Sequence, residues 1–238
     1  MTTQHQPVVY ITGASKGIGL GIARHLVHHD YRVAISSREL ASAQTAAREL
    51  GVGEDRILAL ESDVRKSEDE RAAVAAVVGK WGRLDVVIAN AGVGVFGDIA
   101  ELTDEDWNRA IDTNLTGVFH TVKAALAEIK KSKGYIITIG SLAGINFNAR
   151  SSAYNASKFG LVGFSQALML DVRQDDVKVT TIMPGSVTSH FNGHTPSSED
   201  AWKIQPEDIG ELVYDLLRMH LMALPSKVEI RPAKPPKN

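Results

Sequence analysis

The sequence predicts an α/β fold: one doubly wound domain on a parallel sheet of about seven strands. Three observations carry that prediction. Short runs rich in Val and Ile alternate with longer stretches of helical pattern. The short runs show little apolar–polar alternation, as expected of strands covered on both faces. A strict strand–helix rhythm then implies parallel pairing through right-handed crossovers.

The first strand candidate is 8–12. It leads directly into Thr12-Gly13-Ala14-Ser15-Lys16-Gly17-Ile18-Gly19, which opens the helical pattern of 18–29. Gly13 permits a tight exit from the strand. Gly17 and Gly19 remove side chains where a backbone must approach a ligand or another backbone. The helix start offers unpaired N–H groups and a positive dipole end to a pyrophosphate. Strand, turn and helix together are what a dinucleotide fingerprint requires, although the first two glycines are four apart. No Gly-Lys-Ser/Thr follows, so this is not a P-loop. A purely structural tight turn is the alternative.

The second strand, 32–36, runs into Ser37-Arg38. An acid at this strand end would bond the ribose 2′-hydroxyl of NAD, whereas an Arg accommodates a 2′-phosphate. Positions 36 and 37 hold no acid, Arg38 follows, and Lys16 adds a second cation. The planar donor fork of Arg suits phosphate. The pattern points to NADP(H) over NAD(H), with two solvated surface cations as the alternative.

A helix at 39–50, a strand at 56–61, a helix at 67–81 and a strand at 84–90 continue the rhythm. A long helix at 104–131, a strand at 135–140, a helix at 153–173 and a strand at 178–183 follow. Pro206 with Glu207 and Asp208 starts a helix over 206–222, and 227–231 is the last strand. Two segments break the pattern, 91–102 and 186–205. Both leave carboxyl ends of strands, where open α/β sheets bind ligands. Segment 186–205 mixes Phe191 and Trp202 with His190, His194 and small polar residues. It reads as a lid over a partly apolar pocket, with a plain surface loop as the alternative. Residues 233–238 read as a flexible, solvated tail, so 1–238 is one domain.

Tyr154-Asn155-Ala156-Ser157-Lys158 places Tyr and Lys at i and i+4, on one helix face. A free Tyr has a pKa of about 10 and shuttles protons poorly at neutral pH. A nearby ammonium, with the positive nicotinamide of an oxidised cofactor, would stabilise the phenolate and create a general acid/base. Alone, such a pair is more often a surface contact.

Taken together, the glycine turn and the Tyr–Lys pair resemble the short-chain dehydrogenase/reductase family, of the single-domain type with a Rossmann fold. Thr12 to Gly19 matches that family's glycine signature, and the resemblance runs from residue 8 to about residue 231. It implies that Gly13, Ser15, Lys16, Gly17, Ile18, Gly19, Ser37 and Arg38 contact the cofactor. Asp63-Val64 resembles the adenine-contacting pair, and Asn90-Ala91-Gly92 the element after the fourth strand, with Ala89 in place of a more usual Asn. Pro184-Gly185 with Val187 and Thr188 resembles the segment beside the nicotinamide carboxamide.

The resemblance also implies catalytic roles. Tyr154 protonates the carbonyl oxygen as hydride arrives. Lys158 binds the nicotinamide ribose and tunes Tyr154. Ser141 hydrogen-bonds the substrate oxygen, and Asn114 holds a water in the relay to Lys158. The substrate wall is expected to include Ser141, Leu142, Ala143, Asn148, Tyr154 and Phe191, with Val93, Val95, Phe96, Phe147 and Trp202 around them. That mixture suits medium-sized carbonyl compounds.

The expected function is therefore an NADP-dependent oxidoreductase that reversibly reduces a ketone or aldehyde. A 3-oxoacyl thioester reductase acting on an acyl carrier protein is the narrower alternative. A non-catalytic nucleotide-binding regulator is the alternative of another class.

Composition excludes other classes. With 26 Lys+Arg against 28 Asp+Glu, the net charge of −2 argues against a nucleic-acid partner. Cys is absent, so disulfides, thiol nucleophiles and Cys-ligated metals are excluded. No targeting or membrane-spanning run is apparent, which points to the cytoplasm. His25 and His29 stand at i and i+4, but no third metal ligand accompanies them. Asn114-Leu115-Thr116 and Asn155-Ala156-Ser157 match the glycosylation pattern by chance. Lys130, Lys131 and Lys133 suit a helix end. Similar proteins form dimers or tetramers, and segments 114–129 and 154–170 are the candidate contact faces unless they are core.

Overall fold

The computed structural model describes residues 6–236. Residues 237 and 238 of the expected tail, and residues 1–5, lie outside the described residues. Strands β1 (Val8–Ile11), β2 (Arg32–Ser37), β3 (Ile57–Glu61), β4 (Val86–Ala89), β5 (Tyr135–Ile139), β6 (Lys178–Pro184) and β7 (Lys227–Ile230) form one sheet. Every pairing is parallel, in the order β3-β2-β1-β4-β5-β6-β7. The order reverses between β1 and β4, and a crevice opens at the carboxyl ends of strands on either side of such a switch point.

Helices α1 (Gly17–His28), α2 (Leu40–Glu49), α3 (Ser67–Trp81), α4 (Asp104–Ile111), α5 (Gly117–Ser132), α6 (Ser152–Val172) and α7 (Pro206–Arg218) cover both faces. Successive strand residues point to opposite faces. Val9, Ile11, Ile35 and Ile137 therefore pack with Ile22, Leu26, Ile209 and Val213 of α1 and α7. Val8, Tyr10, Val87 and Ile136 pack with Val74, Val122, Ile129 and Leu161 of α3, α5 and α6. All five residues of β5 are buried, which explains its lack of alternation. Each fully buried Ile or Leu contributes roughly 1.5–3 kcal/mol of transfer free energy.

Two expected helices are corrected. The single helix over 104–131 is broken by a π-helical turn, Asp112–Thr116, in which the Gly117 N–H reaches back to the Asp112 carbonyl. The cause is Asn114, whose side chain is tied to Val93. The helix over 206–222 stops at Arg218. Met219 is extended, Pro225 follows, and Leu221 and Met222 are exposed, so a longer helix would bury nothing.

The discounted features find ordinary partners. His25 stacks on His29, and His29 packs against Tyr214 at a tilt of 35°, with centroids 4.5 and 3.9 Å apart. No group of three metal-ligating side chains exists among the described residues. Lys130, Lys131 and Lys133 pair with Asp175, Glu128 and Asp176. No helix among the described residues is long and apolar enough to cross a membrane.

Candidate active site

A cleft of about 1120 Å³ lies at the carboxyl ends of β1, β4, β5 and β6. Its β1 wall is the glycine turn. Gly13 and Gly17 adopt left-handed φ values of 63° and 59°. A Cβ on Gly13 would also lie 2.8 Å from the Ala91 Cα, so only glycine fits there. Thr12 and Asn90 fasten this turn to the end of β4. The Thr12 hydroxyl accepts from the Asn90 and Ala91 N–H groups at 3.1 Å, and Asn90 Nδ2 donates to the Thr12 carbonyl at 2.8 Å. Ser15, Lys16 and Ile18 line the cleft. Gly19 does not: it sits beneath, where a Cβ would meet Asn90 Nδ2, so it permits packing rather than ligand approach.

Ser37, Arg38, Asp63 and Val64 line the cleft at its outer end, where Lys16 and Arg38 are exposed. Arg65 also lines this end and was not singled out by sequence reasoning. Its Nε and Nη2 donate to the Asp63 carboxylate at 2.9 and 2.5 Å. Those hydrogen bonds hold the Asp63 carboxyl below the usual range, with Arg38 adding a smaller attraction. Nothing in the local pattern distinguishes Arg65 from a solvated surface cation.

At the inner end, α6 presents Tyr154 and Lys158 from consecutive turns. Asn155, between them, is a second residue that sequence reasoning assigned no role. Its Nδ2 donates to the carbonyls of Ala143 and Asn146 at 2.6 and 2.7 Å. This ties the chain after β5 to α6 and brings Ser141 beside Tyr154 in the cleft wall. Leu142, Ala143 and Asn148, expected on the substrate wall, do not line the cleft. Ala143 is buried with its carbonyl on Asn155, Leu142 packs beside Gly185, and Asn148 is exposed with its N–H on Asn155 Oδ1.

Lys158 is buried, and its Nζ donates to the Ile139 carbonyl at 3.0 Å. Burial lowers its pKa to about 8. Burial also pushes the Tyr154 hydroxyl upward, and the Ser141 hydroxyl opposes that shift. Lys158 Nζ lies 5.8 Å from the Tyr154 ring centroid. In the protein alone, therefore, desolvation sets the direction at Tyr154, not the ammonium.

Asn114 is fully buried in the π-turn and does not line the cleft. Its Oδ1 accepts from the Val93 N–H at 2.8 Å, and its Nδ2 donates to the Val93 carbonyl at 2.9 Å and to Ser157 Oγ at 3.0 Å. A Cβ on Gly92 would lie 3.3 Å from Asn114 Oδ1 and 3.7 Å from Lys158 Nζ, so both flank this glycine.

Asn90, Ala91, Gly92, Pro184, Gly185 and Val187 line the cleft, but Thr188 does not. Its hydroxyl donates to the Asp200 carbonyl at 3.2 Å, and its N–H to Ile204. Segment 186–205 is a folded loop in which Val187 bridges Ile204. Asp200 accepts from Lys203 and His194 at 2.5 Å each, and these bonds hold its carboxyl at about 2. Phe191 lines the cleft, and Phe96 lies against Tyr154. Three other residues of the expected wall are elsewhere. Val95 is buried with Ala110 and Ala153, Phe147 stacks on Phe159, and Trp202 faces a separate hollow beside residues 230–234.

A doubly wound sheet with a glycine turn beside its switch point is a Rossmann-type nucleotide fold. Residues 7–200 match the short chain dehydrogenase family, and the chain belongs to it as an oxidoreductase. A 3-oxoacyl-[acyl-carrier-protein] reductase of Bos taurus is 36% identical over 194 residues, spanning 81% of this chain and 78% of that protein. An alcohol dehydrogenase from Thermococcus sibiricus, solved with 5-hydroxy-NADP, superposes with a TM-score of 0.90 at 29% identity, covering 98% of this chain and 100% of that one. A variant actinorhodin polyketide ketoreductase solved with NADPH gives 0.86 at 32% identity, covering 98% of each chain.

Proposed function

We propose that this protein is an NADP(H)-dependent reductase of ketones or aldehydes, running reversibly as an alcohol dehydrogenase. One observation carries the reading: a single cleft has the Ser141 and Tyr154 hydroxyls at one end and the Lys16 and Arg38 cations at the other. The dinucleotide fits the chain present, because Gly13 and Gly17 leave the turn bare where pyrophosphate approaches. Lys16 and Arg38, with Ser37, hold the 2′-phosphate. Asp63 and Val64 would hold the adenine, the 90–92 backbone would line the path of the cofactor, and Pro184, Gly185 and Val187 would hold the carboxamide. Two relatives solved with NADP-type cofactors support this preference.

When bound, NADPH supplies the hydride that reduces the carbonyl carbon. The remaining work belongs to the chain. Ser141 donates a hydrogen bond to the carbonyl oxygen and steadies the charge that develops there. Burial keeps the Tyr154 proton in place at neutral pH, ready for transfer to that oxygen. Lys158 holds the ribose hydroxyls and places a positive charge beside the phenolate that results. Asn114 holds Val93 and the π-turn behind Gly92, and the relay toward Lys158 passes this point. Segment 186–205 covers the site as a lid. Exposed Trp107, Phe119 and Leu170 on α4, α5 and α6 fit a homodimer or homotetramer, which works in the cytoplasm without nucleic acid.

A narrower reading, reduction of a 3-oxoacyl thioester, is favoured by the names of the Bos taurus and polyketide relatives. One assay separates the readings: NADPH and NADH oxidation across ketones, aldehydes, quinones and 3-oxoacyl thioesters. Carbonyl-dependent consumption of NADPH in preference to NADH is expected. NADPH binding without consumption for any carbonyl would overturn the proposal.

A further inference from the structure

The wall outside Tyr154 is aromatic. Phe96 comes from the chain after β4 and Phe191 from the chain after β6. Their ring centroids lie 5.2 and 5.9 Å from that of Tyr154, tilted by 53° and 57°. Both rings close over Gly94, where a Cβ would lie 2.7 Å from a ring carbon of each. Any side chain at 94 would displace one of them. Yet Phe96 and Phe191 remain 48% and 39% exposed, so each keeps an open face toward solvent. Of their chain neighbours in the cleft wall, Val93, Gly94 and Asn192 carry no charge, and His190 and His194 are the ionisable ones, His194 being held by Asp200.

We infer that the part of the substrate that does not react is an uncharged aromatic ring, seated against Phe96 and Phe191, so that the substrates are aryl ketones or aryl aldehydes. This rests on the carbonyl-reductase reading. Seating a flat ring covers both open faces and adds edge-to-face or offset stacking, which a saturated group of equal size lacks. An anionic substrate arm would lose its hydration against the negative faces of these rings without a partner.

The test compares kcat/KM for acetophenone and cyclohexyl methyl ketone with NADPH, in the wild type and in the Phe96→Leu/Phe191→Leu double variant. Leu keeps the apolar surface and removes the rings. A ratio taken within one preparation cancels any loss of folded protein, and the variant's ratio corrects for the intrinsic reactivity of the two ketones. The aryl-to-cyclohexyl ratio is expected to fall about tenfold in the double variant. An unchanged ratio, with both ketones reduced, overturns the aromatic slot and leaves the reductase reading intact. No consumption with either ketone or with any simple aldehyde overturns both.

Discussion

The two ends of the cleft use positive charge in opposite ways. At the inner end Lys158 is buried, fixed on the Ile139 carbonyl, and held down to about 8 by loss of water. At the outer end Lys16 and Arg38 stand in solvent. A charge in water is easy to place, and salt screens it over about 8–10 Å. A charge under α6 and β5 is unfavourable, and the proposed reaction would need an ammonium at that point. On the proposed reading, the outer end would select the cofactor by attraction, whereas the inner end would work through geometry already built into the fold.

The sharpest way to break this comparison is Lys158→Met. Turnover should fall by about a thousandfold, the scale of a lost acid/base partner. Stability should move the other way. A Lys pKa lowered to about 8 means that the folded chain binds the proton less tightly than the unfolded chain. The contribution of Lys158 to stability should rise between about pH 8 and pH 10 as the folded lysine gives up its proton first, read as the difference between wild type and variant. The variant should lack that contribution and be more stable at pH 7 by up to about 3 kcal/mol. Urea titrations of both proteins at about pH 7 and about pH 10 check this, and a variant less stable at pH 7 would contradict it.

Asn114→Ala should cost about 3 kcal/mol of stability, because the Val93 N–H and carbonyl lose their buried partner. The loss should show as a lower urea midpoint even without cofactor. An unchanged midpoint would mean that the π-turn stands without its side-chain anchor. At the outer end, Arg38→Ala should reduce the preference for NADPH over NADH by about ten- to a hundredfold, the range of one charged hydrogen bond. That preference should weaken in the wild type as salt is raised, and the turnover lost in Lys158→Met should not be restored by salt.

The same contrast explains what could be read from the sequence. The strands and their parallel pairing follow from runs of buried Val and Ile, such as β5, alternating with helical stretches, which are local patterns, whereas the strand order is seen only in the fold. The glycine turn and the Tyr154–Lys158 pair are also local, and both sit in the cleft. The π-turn is not local, since it depends on Asn114 reaching Val93 across 21 positions. Asn155 escaped for a similar reason, since its partners in the loop after β5 become visible only in the fold. Arg65 is different: its partner Asp63 is only two positions away, and what the local pattern does not show is that the pair lines the cleft. The wall after β6 was the least legible. Phe191 and Trp202 belong to the same segment, yet the internal bonds of that loop send them to different hollows.

The most direct measurement is NADPH-dependent carbonyl reduction by Tyr154→Phe, beside NADPH binding followed by fluorescence. The proposed role predicts binding within a few fold of wild type and turnover lower by about a hundred- to ten-thousandfold. Turnover close to wild type, with binding intact, would show that the proton reaches the carbonyl oxygen from another group.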